Sequence, residues 1–199
     1  MKYALINGKL LDGTENMQVR EGVSILVENG LIKDIAENGA DLSGYEKIDL
    51  NGKYIMPGLI NMHVHLAGNG KPQKKQRDNE KLVNKIMSTS LTRAVAYNLV
   101  SSFAKTELLS GVTTIRTVGG LGDFDTRLRD DINSGKKQGP RILAANTGIS
   151  VPGGHMAGSV AIAAKNIDEA LAQLEKSRKE NVDLIKLMIT GGVMDAKEK

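Results

Sequence analysis

The sequence contains no cysteine and no tryptophan, and its 199 residues include only two phenylalanines and three histidines. Without cysteine there is no disulfide, no thiolate nucleophile and no Cys-based zinc site. Aromatics at 3% leave few flat side chains on which bases could stack, so no nucleic-acid partner is expected. No apolar run approaches the ~20 residues that cross a bilayer, so no membrane partner is expected either. The N-terminus, Met1-Lys2-Tyr3-Ala4-Leu5-Ile6-Asn7-Gly8, lacks the apolar core of a signal peptide because Asn7 and Gly8 interrupt it, and a cytoplasmic location is the expectation. The net charge is a modest +4. Part of the basic excess lies in Lys71, Lys74, Lys75 and Arg77, a stretch that reads as a solvated loop.

What is present is the composition of a soluble globular protein, 40% hydrophobic and 25% charged, with 22 glycines to serve tight turns. Residues 1–56 read as short strands separated by Asn7-Gly8, Asp12-Gly13, Asn29-Gly30 and Asn51-Gly52, dipeptides that tolerate positive φ. Val23 to Val27 and Leu31 to Ile35 flank one of these turns as a hairpin, and the region as a whole predicts a small β-sandwich.

The pattern changes at Pro57-Gly58, and residues 57–199 alternate strand with helix. Strands are expected near 59–65, 112–118, 141–145 and 184–190. Helices are expected from about Ser88 to Leu109, from Asp123 to Ser134 with Phe124, Leu128 and Ile132 on one face, and from Asn166 onward. Asn166 followed by Glu169 has the form of a capping box, and Ile167, Ala170, Leu171 and Leu174 form the expected apolar face of the last helix. Between 145 and His155 a long glycine-containing loop is expected. Such alternation means parallel βα units, hence an α/β sheet or barrel.

Two places carry chemistry. In Leu59-Ile60-Asn61-Met62-His63-Val64-His65-Leu66, strand alternation puts Ile60, Met62, Val64 and Leu66 on one face and His63 and His65 on the other. Two imidazoles at this spacing can bind one metal ion at the C-terminal end of a strand, where sites form in βα proteins. The alternative is a polar pair on an exposed strand, which the need of Ile60, Met62 and Val64 for cover argues against. In Leu184-Ile185-Lys186-Leu187-Met188-Ile189-Thr190, Ile185, Leu187 and Ile189 share a face opposite Lys186. A lysine inside a buried strand is costly if charged and unpaired. A neutral amine there can add CO2 to give a carbamate whose oxygens bridge two cations; the alternative is an edge-strand lysine that deters aggregation. His155 lies in a glycine-containing loop and either contacts substrate or is solvated. Arg116, mid-strand, forms a structural ion pair or takes a catalytic role.

The sequence resembles the amidohydrolase superfamily of metal-dependent hydrolases. The resemblance rests on 56–65 (Met-Pro-Gly-Leu-Ile-Asn-Met-His-Val-His), on 111–116 (Gly-Val-Thr-Thr-Ile-Arg) and on 183–192, where Lys186 is followed by Leu-Met-Ile-Thr-Gly-Gly. It is closest in character to the imidazolonepropionase-related and prolidase-like dipeptidases. The resemblance implies the N-terminal part of a (β/α)8 TIM-type barrel, about four βα units over 57–199, preceded by an incomplete β-sandwich composite domain over 1–56. It implies a binuclear centre, usually two zinc ions, with His63 and His65 on the more buried metal and a carboxylated Lys186 bridging both. It implies attack of a metal-bridging hydroxide on an amide carbonyl, in a dipeptide or N-acyl amino acid, with a cyclic-amide hydrolase or deaminase of the same superfamily, or a non-catalytic metal-binding fragment, as the alternatives. Thr117 stands where relatives often carry Asp. The family's two further histidines and its strand-eight aspartate have no counterpart in this sequence, so the chain is expected to need a missing C-terminal half or a second copy of itself.

Overall fold

A computed structural model of the chain describes residues 1–68, 70 and 78–191. The basic stretch Lys71, Lys74, Lys75 and Arg77 and the Gly192 of the last motif lie outside them. The chain divides into two compact units, Met1–Pro57 and Gly58–Lys199.

The first unit holds seven strands: β1 (Lys2–Ile6), β2 (Lys9–Leu11), β3 (Val19–Arg20), β4 (Val23–Glu28), β5 (Leu31–Glu37), β6 (Glu46–Asp49) and β7 (Tyr54–Ile55). They form two sheets, ordered β5-β4-β1-β6 and β3-β2-β7. The β4–β5 hairpin turns on Asn29 and Gly30, both with positive φ (52° and 82°), as the sequence predicts. Asn7-Gly8 and Asn51-Gly52 instead carry the chain from one sheet to the other, since β1 pairs with β6 and β2 with β7, both in parallel. Leu10 and Ile55 of the second sheet share a core with Val23, Ile25 and Ile35 of the first. The outer face of the larger sheet, Ala4, Leu26 and Ala36, is covered by Leu42 and Tyr45.

The second unit is built from β8 (Leu59–Val64), α1 (Asn79–Met87), α2 (Ser90–Leu109), β9 (Val112–Thr117), α3 (Phe124–Asn133), β10 (Arg141–Leu143), β11 (Gly148–Ser150), β12 (Ala161–Ala163), α4 (Ile167–Lys179) and β13 (Leu187–Met188). One three-stranded sheet runs β10-β9-β8 and another β12-β11-β13, and every pairing in both is parallel. Residues 144–147 join β10 to β11, and the backbone N–H of Asp183 donates to the Ala144 carbonyl at 2.8 Å, so the approach to β13 is tied to the same path. The core lies between the β8–β10 sheet and helices α2 and α3, where Val64, Leu66, Tyr97, Val100, Ile115, Phe124, Leu128 and Ile142 are buried together.

The structure departs from the sequence reading in several places. The helix expected from Ser88 is preceded by a second one, α1, whose Asp78 side chain accepts from the Lys81 N–H; Thr89 then caps α2 afresh by accepting from Thr92 N–H. The expected long loop before His155 contains β11, and β12 follows the loop; each is only three residues long, too short for a period-two signal. Helix α4 does not bury its apolar face: Ile167, Leu171 and Leu174 are exposed, and the buried positions are Gln173 and Ser177. That inward stripe is polar because it meets polar groups, Gln173 donating to the Thr147 carbonyl. Finally, Ile60 (64% exposed) and Met62 lack the cover that strand alternation implied. Helix α2 packs on β9 and α3 on β10, which leaves β8 as an edge whose apolar face is buried only at Val64 and beyond.

Candidate metal centre

Strands β8 and β9 do not run in even register. Asn61 lies opposite Ile115 and Val64 opposite Thr117, so three steps on β8 answer two on β9, a bulge at Met62-His63. A bulge frees a carbonyl from the ladder. Here the Met62 carbonyl accepts a 2.8 Å hydrogen bond from Nε of Arg116 on β9. Arg116 was expected to serve an ion pair or catalysis; the structure gives it this backbone bond, one residue from His63.

Just past the bulge, the Nε2 atoms of His63 and His65 lie 3.3 Å apart. Two nitrogens bound to one tetrahedral zinc at about 2.0–2.1 Å each are separated by about 3.3–3.4 Å, so the pair has the bite of a single metal ion. The other nitrogen of His65, Nδ1, lies 3.0 Å from the carbonyl oxygen of Gly119. A carbonyl only accepts, so Nδ1 carries the proton and Nε2 presents its lone pair toward His63. The basicity of His63 is lowered, first by burial and then by the neighbouring charges of His65, Lys186, Arg116 and His155. A depressed pKa keeps the ring neutral, which is its ligating form.

Lys186 is half-buried and stands immediately before β13, not within a strand running from Leu184 to Thr190. Its carbonyl accepts from Ile149 N–H, and its side-chain stem passes Gly148, where a Cβ would sit 3.4 Å from Lys186 Cγ. The face of Ile185, Leu187 and Ile189 is exposed, while Met188 on the opposite face is buried. The apolar side of this segment therefore faces outward among the described residues. His155 lies on the loop after β11. That loop is held through the backbone of His155: its N–H donates to the Thr190 carbonyl at 3.1 Å, and its carbonyl accepts from Ser150 Oγ. His63, His65, Lys186 and His155 thus come from three segments, 63–65, 155 and 186, whose charges act on one imidazole. Among the described residues, no group of three or more His, Cys, Asp and Glu side chains converges as a metal site. The described chain supplies two imidazoles with the right bite, not a closed ligand set.

Apart from Thr117, the sequence reading did not single out what lies behind the pair. Gly119 follows β9 with a φ of 131°, open to glycine, and a Cβ there would stand 3.2 Å from Val160 Cγ2 and 3.4 Å from His65 Cε1. Buried beneath it are Thr117, Asp125, Thr126 and Asn146. The Asp125 carboxyl is pushed up to about 6 by its burial, against the hydrogen bonds it receives from the Thr117 hydroxyl and the Asn146 N–H. A glycine pair after a strand and an asparagine between Ala145 and Thr147 were the available signals.

The profile of the amidohydrolase family matches residues 54–198, most of the chain. The chain belongs to the amidohydrolase family. A dihydroorotase of Trichlorobacter lovleyi is 39% identical over 75 residues, which is 38% of this chain and 17% of that protein. A 5-methylthioadenosine/S-adenosylhomocysteine deaminase of Bacillus thuringiensis is 37% identical over 69 residues, 34% of this chain and 16% of the relative. Among solved structures, a Xaa-Pro dipeptidase with bound methionine in its active site superposes with a TM-score of 0.75 at 31% identity, covering 98% of this amidohydrolase chain and 48% of the dipeptidase. The chain therefore spans about half the length of that structural relative, and far less of the two sequence relatives is matched. The mixed α/β architecture is that of known amidohydrolases. No helix among the described residues is long and apolar enough to cross a membrane.

Proposed function

We propose that the chain is the N-terminal half of a binuclear, metal-dependent amidohydrolase that cleaves an amide or peptide-type C–N bond, with a dipeptide or N-acyl amino acid as the substrate class. The observation that carries this reading is the 3.3 Å separation of the His63 and His65 Nε2 atoms, with the tautomer of His65 set by Gly119. The dipeptide assignment draws on the likeness to the Xaa-Pro dipeptidase over 98% of the chain. The parallel β8-β9-β10 and β11-β13 pairings, with their helices, fit the first four βα units of a (β/α)8 barrel, and residues 1–56 fit an incomplete composite domain.

The His63–His65 pair fits two of the ligand positions of a zinc ion. When bound, such a metal polarises an amide carbonyl and lowers the pKa of a water to about 7. His63 and His65 would hold a metal ion through Nε2. Arg116 holds the bulge that brings His63 over His65. Lys186 brings a cation toward the same pair. Loss of one proton from that ammonium gives the neutral amine, and addition of CO2 then forms an N–C bond with release of a second proton, leaving a carbamate anion whose two oxygens would be available to hold metal ions. His155 meets the substrate from the loop tied to Thr190.

The exposure of the apolar side chains Ile60 and Met62 at one edge, and of Leu187 and Ile189 (79% exposed) near the other, supports the packing of further barrel units there. Those units belong to the remainder of a longer chain or to a second polypeptide; a second copy of this chain brings no histidines beyond the same three. A second reading, hydrolysis of a cyclic amide or deamination, draws on the similarity to the dihydroorotase and to the deaminase over their short matches.

The test is purification from the native source, with intact mass, metal content and turnover of a panel of dipeptides, N-acyl amino acids and cyclic amides. The reading expects a complement covering the second half of the barrel, about two metals per complete assembly, and dipeptide hydrolysis that Lys186→Ala abolishes. A lone, metal-poor chain without turnover would establish a non-catalytic module instead. Preferential turnover of the cyclic amide would favour the second reading.

A further inference from the structure

The peptide unit between Gly119 and Gly120 is engaged at both ends. Its C=O accepts from Nδ1–H of His65 at 3.0 Å, and its N–H donates to the backbone carbonyl of Asn146 at 2.8 Å. Asn146 is fully buried, in the left-handed region with φ 54°. Its side chain uses every polar atom it has. Oδ1 accepts from Thr126 N–H at 3.0 Å, while Nδ2 donates to Thr126 Oγ1 and to Glu180 Oε2, each at 2.9 Å. Its own N–H donates to the Asp125 carboxyl.

We propose that Asn146 is a positioning residue for His65, acting through the Gly119–Gly120 peptide. The inference rests on the reading of His63 and His65 as metal ligands and goes beyond it by naming what sets the orientation of one of them. The physical argument is continuity. A peptide whose N–H is held cannot rotate its C=O away from His65, since the six atoms of the unit are coplanar. Hydrogen bonds in such a chain polarise one another, so the Asn146 carbonyl at one end strengthens the acceptor that His65 meets at the other. Asn146 itself cannot turn, because Thr126 on α3 and Glu180 at the end of α4 hold its side chain from two helices. The buried side chains at this position are spent on fixing one backbone oxygen. Outer partners of metal-bound histidines act in this way, and their loss typically costs 10–100-fold in metal affinity.

The test uses the chain itself and a spectroscopic signature. Nitrogen-15 NMR of the imidazoles assigns the tautomer of each of the three histidines, with His63→Ala and His155→Ala variants to identify the His65 signals. In the wild type His65 is expected in the Nδ1–H form. Asn146→Gly keeps the left-handed backbone accessible but deletes the side-chain anchors, and is expected to give a mixture of both tautomers and a 10–100-fold loss of Zn2+ affinity. Leu128→Ala, a core truncation outside this chain of bonds, is expected to lower stability and leave the tautomer unchanged. If Asn146→Gly does not fold, Thr126→Val removes the Oγ1 acceptor and reads the same effect. A wild-type His65 protonated on Nε2, or a tautomer unmoved by both variants, overturns the proposal. A tautomer that shifts as expected in a chain that takes up no Zn2+ upholds the role of Asn146 and overturns the metal reading instead.

Discussion

The Nε of Arg116 donates to the carbonyl oxygen of Met62 across the point where β8 slips by one residue against β9. This contact occupies a backbone acceptor that the ladder cannot use, and it lies next to His63. Arg116→Leu leaves that exposed carbonyl to water, at a cost of about 0.5–1.5 kcal/mol. Thermal denaturation should show the loss of stability. A Zn2+ titration of the same variant should show weaker binding, because the bulge that aims His63 has lost its clamp. Unchanged affinity alongside a lowered melting temperature would confine Arg116 to stability.

Asp125 gives a prediction on pH. It is 1% exposed, its Oδ2 has no hydrogen-bond partner, and its carboxyl is pushed from an ordinary 3.8 up to about 6. The folded state thus binds the proton more tightly than the unfolded chain. Relative stability is greatest below pH 3.8 and falls as the pH rises through 6, where the carboxylate must be buried charged. A shift of this size corresponds to about 3 kcal/mol, and the Thr117 and Asn146 bonds are already included in it. Asp125→Asn is therefore expected to stabilise the chain at pH 7 by about 1–3 kcal/mol relative to its effect near pH 4. Urea unfolding of both proteins across that range checks it; a difference independent of pH would refute it.

Gly58 begins the second unit against Thr113. A Cβ at Gly58 would fall 2.6 Å from the Thr113 Cβ and closer still to its Oγ1 and Cγ2, so even a methyl group requires the two strands to part. Gly58→Ala should cost about 1–3 kcal/mol by overpacking. The cost should shrink when Thr113→Gly is combined with it, a non-additivity that a double-mutant cycle measures. Equal costs in both backgrounds would mean that the strands accommodate the methyl elsewhere.

Much of this structure can be read from the residues, and what cannot be has identifiable causes. The β4–β5 hairpin, α3 with Phe124 and Leu128 in the core, and the strand that carries His63 and ends at Val64, just before His65, follow from turn dipeptides and periodicity. The start of α4 follows from Asn166, whose side chain accepts from Glu169 N–H, although the Glu169 carboxylate reaches back to Lys165 N–H and not to Asn166. Apolar periodicity misleads where burial is polar. Helix α4 turns Gln173 and Ser177 inward, and Ile60 and Leu187 point outward, because hydrophobic pattern reports which residues need cover and not whether an element is there to provide it. The His pair is legible from spacing, but its partners are not. Gly119, Asn146 and Asp125 reach the site through backbone atoms and a peptide plane, and such contacts leave little trace in residue type beyond a glycine or asparagine where φ is positive.

The most direct measurement of the central claim is zinc K-edge X-ray absorption on the Zn2+-loaded chain, wild type beside His65→Ala. The account predicts two imidazole nitrogens at about 2.0–2.1 Å in the wild type and one fewer in the variant. A coordination shell without imidazole, or one that His65→Ala leaves unchanged, would contradict it.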